Sequence, residues 1–483
     1  MRFGVKGWLC LGLLFMTMWV LGGGALAASR IDDPLLRVLV RKGVLTEEEA
    51  LEIKREAELE AQREKEALAE AAAEKVKKEG LVLPKGLKGI KLGTLTYIDY
   101  SNGYGPFDSG KEEGKSYFAI TRAYFNFKKK ITPWLSFRLT PDIHSGNKDD
   151  YDLRIKYAYA EFKFPDLGVL TDLKMEVGQG HMPWLDFEQS INPYRMQGTM
   201  AREFFGTFNS ADRGISLGGY FGGKLDKSYV KSLTAHYPIF NRYIGKYGSF
   251  WLSYLNGPGY SSKETNENKG LEGRITIRPF GTHISGTFPL AGLQLSYFFI
   301  RAKGAEKAES HPFRKPEYPD YNVDLFMLSY QHPWFVVTLQ YSTSDGNNKG
   351  KWVVDTNGDG SGDQELETRC WSVFADVTLP ILNEKLHLFG RYDRFDPNDG
   401  DDFYDKKGNR ISDSNDEAEH YMVGLAYYLT GKNILMLNFE WIDYDRNFRG
   451  GKKDQFTKWG NYDPSGYPLE DGFRVQTVLQ ISL

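Results

Sequence analysis

Cysteine is almost absent from this sequence. Cys10 lies in an apolar N-terminal segment, and Cys370 stands alone in the remainder of the chain. One cysteine cannot form an internal disulfide, so a small disulfide-stabilised secreted scaffold is excluded. Cys10 also lacks the small residues that precede the cysteine of a lipoprotein signal, so we do not expect lipid attachment there.

An excess of positive charge is also absent. Lys and Arg number 61 against 64 Asp and Glu, and removing an N-terminal segment with Arg2 and Lys6 would lower the formal charge from −3 to −5. This balance does not indicate nucleic-acid binding. Histidine is sparse too, with eight residues, none in a G-x-S-x-G or comparable nucleophile motif. We therefore do not predict an enzyme.

Long apolar runs are missing beyond residue 27, so no transmembrane helix is predicted there. Before it, Arg2 and Lys6 precede an apolar stretch that ends in Ala25-Leu26-Ala27, a small-x-small cleavage site. This pattern predicts a signal peptide over residues 1–27, with an uncleaved anchor helix as the alternative. Aromatic residues make up 14% of the chain and Gly numbers 51. In an exported chain, that composition fits a transmembrane β-barrel or a large secreted β-protein.

Residues 28–87 are helical in composition. Pro34 stands at a plausible first helical position, and Thr46 with Glu49 forms a predicted capping box before a second helix from Glu47 to about Lys78. The apolar stripe on that helix is thin, which favours self-association as a coiled coil, and a solvated spacer is the alternative. We expect this segment in the periplasm, where it would join a trimer or reach toward the cell wall.

Residues 88–483 show strand after strand of alternating character. In "WLSFRLTP" the apolar Leu135 and Phe137 alternate with polar residues, and "LRIKYAYAEF" is predicted to place Tyr157 and Tyr159 opposite Arg154. The final "GFRVQTVLQISL" alternates in the same way. Roughly 25 residues for each strand and its connection predict an all-β transmembrane antiparallel barrel of about 16 strands.

Two features favour a bacterial outer-membrane barrel over a soluble sandwich. The connections predict short turns at one end, such as "LTGKN", and long acidic loops at the other. The last strand would find its missing partner in the first, near "IKLGTLTYIDY", so that no sheet edge stays open. A soluble protein shows the same alternation with its charges toward solvent, so a secreted or cell-surface β-protein with an adhesive or structural role stays as the alternative.

Six segments occur in a characteristic order: "FAITRAYFNF" (118–127), "KMEVGQGHMPWLDFE" (174–188), "ADRGISLGGYF" (211–221), "FWLSYLNGPG" (250–259), "LFGRYDRFDPN" (388–398) and "VGLAYYLTGKNILMLNFEW" (423–441). Together they resemble the porin family that includes the phosphate-selective porins O and P. The resemblance implies a 16-stranded barrel, a homotrimer and a loop folded inward to narrow the pore. "RKGVLTEEEA" also resembles the short helical preface of many such porins.

A porin selects solutes through charged side chains that line a water-filled lumen. Arg suits anionic solutes, because its planar fork binds carboxylate or phosphate at two points. The cations on the inward-facing phase are therefore the predicted pore-lining residues: Arg122, Arg138, Arg154, Lys156, Arg274, Arg278 and Arg391. The alternative is that they pair with Asp and Glu in the barrel wall and only hold its shape.

The segment from Pro183 to Arg213 is longer than an ordinary turn and is the predicted constriction loop. Its charged residues are Arg195, Arg202 and Arg213 against Asp186 and Glu188. The sequence thus predicts a general or anion-preferring porin, with phosphate or other small anions among its solutes. Passive diffusion requires no cofactor, and the expected surroundings are outer-membrane lipid and lipopolysaccharide.

One external loop has a metal-binding pattern. "DTNGDGSGD" places oxygen-bearing side chains at every second position, as in the first half of an EF-hand loop: Asp355, Asn357, Asp359, Ser361 and Asp363. The twelfth position is Leu366 rather than Glu. The pattern predicts a structural Ca²⁺ site, and a flexible acidic loop is the alternative.

Overall fold

The computed structural model describes residues 33–61, 63, 89–104, 116–145, 151–260, 264, 266–305, 318–354, 364–399, 403–404, 410–411, 417–445, 449–450, 467–468 and 471–483. The chain divides into two compact units, with the boundary between Lys88 and Gly89. The predicted signal peptide lies outside the described residues, as does the predicted second helix beyond residue 63. Among the described residues, no helix combines the length and apolar character needed to cross a membrane.

In the first unit, a helix runs from Pro34 to Arg41, and the side chain of Asp33 caps it by accepting a hydrogen bond of 2.7 Å from the N–H of Leu35. Residues 47–61 form a second helical stretch. The Thr46 N–H donates to Glu49 Oε2 at 2.8 Å, and the Glu49 N–H donates back to Thr46 Oγ1 at 3.2 Å. The predicted capping box is therefore confirmed.

The second unit is a closed antiparallel barrel of sixteen strands, which confirms the predicted fold class and strand number. Among the described residues, three two-stranded sheets are not part of it: Val353–Val354 with Gln364–Glu365, Phe403–Tyr404 with Arg410–Ile411, and Arg449–Gly450 with Tyr467–Pro468. The strands are β1 Ile90–Tyr104, β2 Ser116–Lys130, β3 Leu135–Ser145, β4 Tyr151–Lys163, β5 Leu170–His181, β6 Ala211–Phe221, β7 Gly248–Leu255, β8 Gly270–Ile277, β9 Leu293–Lys303, β10 Asp320–Gln331, β11 Phe335–Asp345, β12 Val353–Val354, β13 Gln364–Glu365, β14 Glu367–Leu379, β15 Leu386–Asp396, β16 Phe403–Tyr404, β17 Arg410–Ile411, β18 Ala418–Thr430, β19 Asn433–Tyr444, β20 Arg449–Gly450, β21 Tyr467–Pro468 and β22 Gly472–Ser482.

The last strand closes the barrel against the first, as predicted. Leu95 of β1 lies opposite Ser482 of β22, and the antiparallel pairing continues to Tyr104 opposite Phe473. Because β22 also pairs with β19 along its other edge, both of its edges have hydrogen-bonded partners. Closure removes the open edge that would otherwise invite pairing with another chain.

The apolar phase of the strands faces outward. On β8, Ile275 and Ile277 are exposed, whereas Arg274 and Thr276 between and beside them are buried inside the barrel. A soluble sandwich would bury the apolar phase instead. This exposed exterior therefore disfavours the soluble alternative.

Aromatic pairs flank this exterior at both ends. At the end with the long loops, Tyr341 packs against Trp371 and Tyr421 against Trp441, with ring centroids 4.5 and 5.1 Å apart. At the end with the short turns, the rings of Phe221 and Phe250 stack at 5.6 Å. Two aromatic rows around an aliphatic band are the surface of a barrel that spans a membrane.

The predicted alternation of β4 is wrong at its centre. Thr140 of β3 lies opposite Tyr157, but the next pair joins Pro141 to Ile155, so Lys156 is an extra residue. Such a β-bulge shifts the side-chain phase by one position. Tyr157 and Tyr159 consequently point into the barrel on the same side as Lys156 rather than opposite it, and both rings are buried.

The prediction of short connections at the turn end is wrong at two positions: residues 278–292 between β8 and β9, and a still longer connection between β6 and β7. Residues 131–134, 332–334 and 431–432 are tight turns as expected. Residues 222–247 instead form a long connection between β6 and β7 that contains a helix from Lys227 to His236. We call residues 222–247 the turn-side segment.

Candidate functional site

The barrel interior receives a long loop from β5. Residues 182–210 leave the sheet after His181 and return to it at Ala211, and they include the short helices Leu185–Glu188 and Ala201–Phe204. We call them the inner loop. The predicted constriction loop, Pro183 to Arg213, covers most of these residues, but Arg213 lies on β6 and so does not belong to the inner loop.

An apolar wall holds one side of the inner loop. The loop side chains Trp184, Leu185 and Phe187 are fully buried in the barrel's main hydrophobic cluster. Their partners are large apolar residues at inward positions of β9, β10, β14, β15 and β19: Phe298, Leu325, Phe374, Phe389 and Met436. Burial of each such side chain contributes about 1.5–3 kcal/mol, so the loop is firmly packed. The prediction that inward faces are ionic is therefore wrong along this wall.

Cations on the same side of the barrel bind the inner loop rather than the lumen. Arg274 on β8 is buried and donates from Nε to the Pro183 carbonyl at 3.1 Å. Arg391 on β15 donates to the Thr199 carbonyl at 2.9 Å and pairs with Asp393 at 2.7 Å. Both residues were predicted to line the pore, and the structure places them beneath the loop, in agreement with the alternative, structural interpretation.

Two further predicted cations are buried in the same way. Arg278 follows β8, is 1% exposed and donates to the backbone carbonyl of Ala291. Arg202 belongs to the inner loop itself and donates to Ser342 Oγ at 2.7 Å and to Thr368 Oγ1 at 2.6 Å. These hydroxyls lie on β11 and β14, so Arg202 fastens the loop to the strands and faces away from the lumen.

The remaining predicted cations lie together on the opposite wall. Arg122 on β2, Arg138 on β3, and Arg154 and Lys156 on β4 occupy three adjacent strands, and we call these four residues the basic wall. Arg154 donates from Nε to Asp142 Oδ2 at 2.9 Å. Among the described residues, this is the only carboxylate within ion-pair distance of the four cations. The basic wall therefore carries a net positive charge.

Tyrosine rings separate the cations of the basic wall. Arg138 lies 4.4 Å from the ring centroid of Tyr157, and Arg154 lies 4.9 Å from that of Tyr260. Lys156 Nζ lies 5.3 Å from the Tyr260 ring and donates to Ser210 Oγ at 2.7 Å. Ring faces attract cations without neutralising them. The rings thus hold the side chains in place without neutralising them. The three arginines are partly exposed, whereas Lys156 is only 4% exposed.

The inner loop presents charges of both signs on its other residues. Arg195 and Glu203 form an ion pair of 3.0 Å. Glu188 accepts a hydrogen bond of 2.9 Å from the Trp184 indole N–H and is almost fully buried. Asp186 lies 3.7 Å from His181 Nε2. Since these carboxylates already have partners, they compensate the basic wall only in part.

A cavity of about 450 Å³ lies at the turn end of the barrel, between β4–β7, the inner loop and the turn-side segment. Its ionic lining is balanced: Lys163, Lys174, Lys224 and Arg242 against Glu161, Asp166, Asp172 and Asp186. Lys174 pairs with Glu161 at 3.9 Å and Lys224 with Asp172 at 2.8 Å. This cavity contributes little net field of its own.

A second cavity of about 360 Å³ shares Glu161 and Lys163 with the first and reaches Arg138. In its lining, Lys91 lies directly opposite Lys128 on the neighbouring strand, and Lys128 lies directly opposite Arg138. The sequence prediction omitted both lysines. Lys128 could have been predicted, because the alternation that places Arg122 inside the barrel also places residues 124, 126 and 128 there.

The predicted calcium ligands lie outside the described residues. Within the described part of the chain, no group of three or more His, Cys, Asp or Glu side chains is placed to hold a metal ion.

A closed sixteen-stranded barrel with a loop packed inside it is a porin-like channel fold. No protein-family model and no curated protein matches the chain. Similar solved structures include the outer membrane channel DcaP of Acinetobacter baumannii, with a TM-score of 0.48, 12% identity, and coverage of 81% of this chain and 97% of that chain. The anion-selective porin from Comamonas acidovorans has a TM-score of 0.47 and 10% identity, covering 82% and 100%. Salmonella typhi OmpF has a TM-score of 0.48 and 11% identity, covering 81% and 97%. At this level of similarity, no residue role carries over to this chain.

Proposed function

We propose that this protein is a porin of the bacterial outer membrane, a passive water-filled channel for small hydrophilic solutes that favours anions. The aliphatic band between two aromatic rows supports the membrane location, with the turn end toward the periplasm. The preference for anions depends on one observation above the others. The basic wall places four cations on three adjacent strands with one ion-paired carboxylate, Asp142.

The selectivity follows from the position of this charge. Two unit charges 4 Å apart interact with about 1 kcal/mol in bulk water and about 4 kcal/mol at an effective dielectric constant of 20. A solute beside the basic wall lies between these limits, because the packed inner loop excludes part of the water. A difference of about 1.4 kcal/mol between an anion and a cation gives about a tenfold ratio of their populations.

Small carboxylates and phosphate are the solute classes that this wall fits. Arg122 and Arg154 offer planar forks that match such groups at two points. The nitrogens of Arg138 already contact Thr140, His181 and Asn126, so Arg138 and the buried Lys156 add point charges. The balanced turn-end cavity would then release the solute without a second strong binding step. Permeation requires binding that is weak enough to allow exit.

The test is a reversal-potential measurement in a planar bilayer under a KCl gradient. We expect a potential of the sign for anion preference, reduced toward zero in the triple variant Arg122→Ala, Arg154→Ala, Lys156→Ala. The control is Arg301→Ala, which removes an outward cation that pairs with Asp324 at 2.8 Å. Cation preference in the unaltered protein, or an unchanged potential in the triple variant, would contradict the proposal.

We also propose a homotrimer in contact with outer-membrane lipid and lipopolysaccharide. The helical stretch at residues 47–61 supports a coiled-coil contribution to assembly, and a role in cell-wall contact is the second candidate for the segment 28–87. Deletion of residues 28–86 distinguishes the two. If the segment stabilises the trimer as a coiled coil, we expect the deletion variant to lose its trimers at high temperature. If the segment binds the cell wall instead, we expect unchanged trimers and reduced cosedimentation with cell walls.

A further inference from the structure

The turn-side segment is an insertion where a short turn would suffice. Its base is closed by backbone hydrogen bonds: the Leu225 N–H donates to Ile244 O at 2.8 Å, and the Lys246 N–H donates to Gly223 O at 2.8 Å. Between these residues, the chain leaves the rim of β6 and β7 and crosses the barrel end. A connection that only joined the two strands would need neither the crossing nor the helix.

Its contacts on the far side lie several strands away. Tyr229 Oη donates to the Gln331 carbonyl at 3.3 Å, and His236 Nδ1 lies 2.7 Å from the Pro333 carbonyl. Gln331 is the last residue of β10 and Pro333 follows it, and β10 is the fourth strand around the barrel from β6. The turn-side segment therefore lies across part of the opening at the turn end of the barrel. Below, we also call this segment the bar.

The bar packs into the same core as the inner loop. Leu225, Tyr229, Leu233, Tyr237 and Phe240 are each 3% exposed or less and belong to the main hydrophobic cluster of the barrel. At about 1.5–3 kcal/mol for each buried side chain, this packing holds the segment in one position. It is therefore a structural element of the lumen rather than a mobile connection.

Two residues of the bar hold the start of the inner loop. Tyr243 Oη donates to Asp186 Oδ2 at 2.7 Å, and Arg242 donates to the Asp186 carbonyl at 3.1 Å and forms an ion pair with its carboxylate. Arg242 and Tyr243 also line the 450 Å³ cavity, together with Lys224. The bar thus forms one side of the passage between the basic wall and the turn-end opening.

We infer that the turn-side segment is a second constriction element, which sets the width of the turn-end exit and braces the inner loop through Asp186. This inference rests on the proposed channel function. In this arrangement the channel has two constrictions in series: the basic wall with the inner loop selects by charge, and the bar limits size at the exit.

Chemical modification of single cysteines in the full chain tests whether the bar lines the passage. Lys224→Cys places a thiol in the cavity lining, and Lys231→Cys places one on an exposed helix residue that does not line it. The native Cys370 is buried, which protects it from the reagent. With a negatively charged methanethiosulfonate reagent on the turn side of a planar bilayer, we expect at least a twofold fall in current for Lys224→Cys and none for Lys231→Cys.

A second variant tests the brace. Arg242→Ala should raise single-channel conductance and produce switching between conductance levels, whereas the matched control Arg301→Ala should leave the conductance unchanged. Equal current loss in the two cysteine variants, or no loss in either, would overturn the inference, as would an unaltered conductance of Arg242→Ala. Failure of the proposed channel function can be distinguished from failure of this inference, because without channel function the unmodified protein would carry no current.

Discussion

Replacing Asp376 should loosen both inserted segments at once. This β14 carboxylate points into the barrel and is almost fully buried. Its Oδ2 accepts a hydrogen bond of 2.6 Å from Tyr194 of the inner loop, and its Oδ1 accepts one from Tyr237 of the turn-side segment. His387 Nδ1 lies 2.9 Å from the same Oδ1. Asp376 is thus one wall residue that binds both the inner loop and the turn-side segment.

The size of the effect follows from the groups left behind. In Asp376→Ala, the buried hydroxyl of Tyr194 loses its acceptor, and that of Tyr237 keeps the backbone carbonyls of Trp334 and residue 376, each 3.4 Å away. Leaving a buried polar group unsatisfied costs about 1–3 kcal/mol, so the Tyr194 hydroxyl costs about that amount and the Tyr237 hydroxyl costs less. Asp376→Asn keeps one carbonyl oxygen as an acceptor and should cost roughly half as much. Comparing Asp376→Asn with Asp376→Ala separates the effect of the lost hydrogen bonds from the effect of the lost side-chain volume.

Single-channel recording and the temperature of heat-modified gel migration measure the two consequences. We expect Asp376→Ala to open to a higher mean conductance with frequent sublevels, and to unfold at a lower temperature than Asp376→Asn. The control Asp324→Ala removes an outward carboxylate that contacts Arg301 and Tyr297. If Asp376→Ala matched the unaltered protein in both assays, the shared attachment would be refuted.

Two other changes have defined outcomes. Gly218→Ala should lower the temperature of thermal unfolding, because the added Cβ would lie 1.9 Å from the Trp251 ring and overpacking costs about 1–3 kcal/mol. The control Gly390→Ala should have little effect, because no atom lies nearer than 3.6 Å to the added Cβ. Hydrogen bonds from the Ser228 hydroxyl and backbone lower the pKa of Asp226, so its stabilisation of the helix is present above pH 4 and is lost below it. Asp226→Ala should therefore be less heat-stable than the unaltered protein at pH 7, and the difference should shrink as the pH falls through the lowered pKa of Asp226. A difference that stayed constant with falling pH would contradict this.

Alternation predicted most of the barrel because it reflects a strong physical constraint. A strand between lipid and lumen must change character at each residue, so the strand number, the closure of β22 on β1 and the outward apolar phase could be predicted from sequence. The failure at Lys156 has a local cause. A single bulged residue in β4 reverses the phase that follows it, and nothing in the alternation of "KYAYAEF" marks that position.

Only part of the candidate site could be predicted from the sequence. Arg122 and Arg274 occupy the same phase and look alike in sequence, yet one lies on the basic wall and the other beneath the inner loop. Phase decides whether a side chain enters the barrel. It does not decide what covers the side chain there, because the path of the inner loop depends on contacts with strands far away in sequence.

This division gives the inward cations two roles that depend on each other. Arg202, Arg274 and Arg391 bind backbone or hydroxyl oxygens and fix the inner loop against the apolar wall. The basic wall lies on β2–β4, away from these attachments, and meets the inner loop where Lys156 donates to Ser210. In the proposed channel, the buried cations that hold the loop govern the width of the passage. The basic wall, in which Lys156 is itself only 4% exposed, governs its charge preference. Removing a buried cation should alter conductance first, whereas removing a wall cation should alter selectivity first.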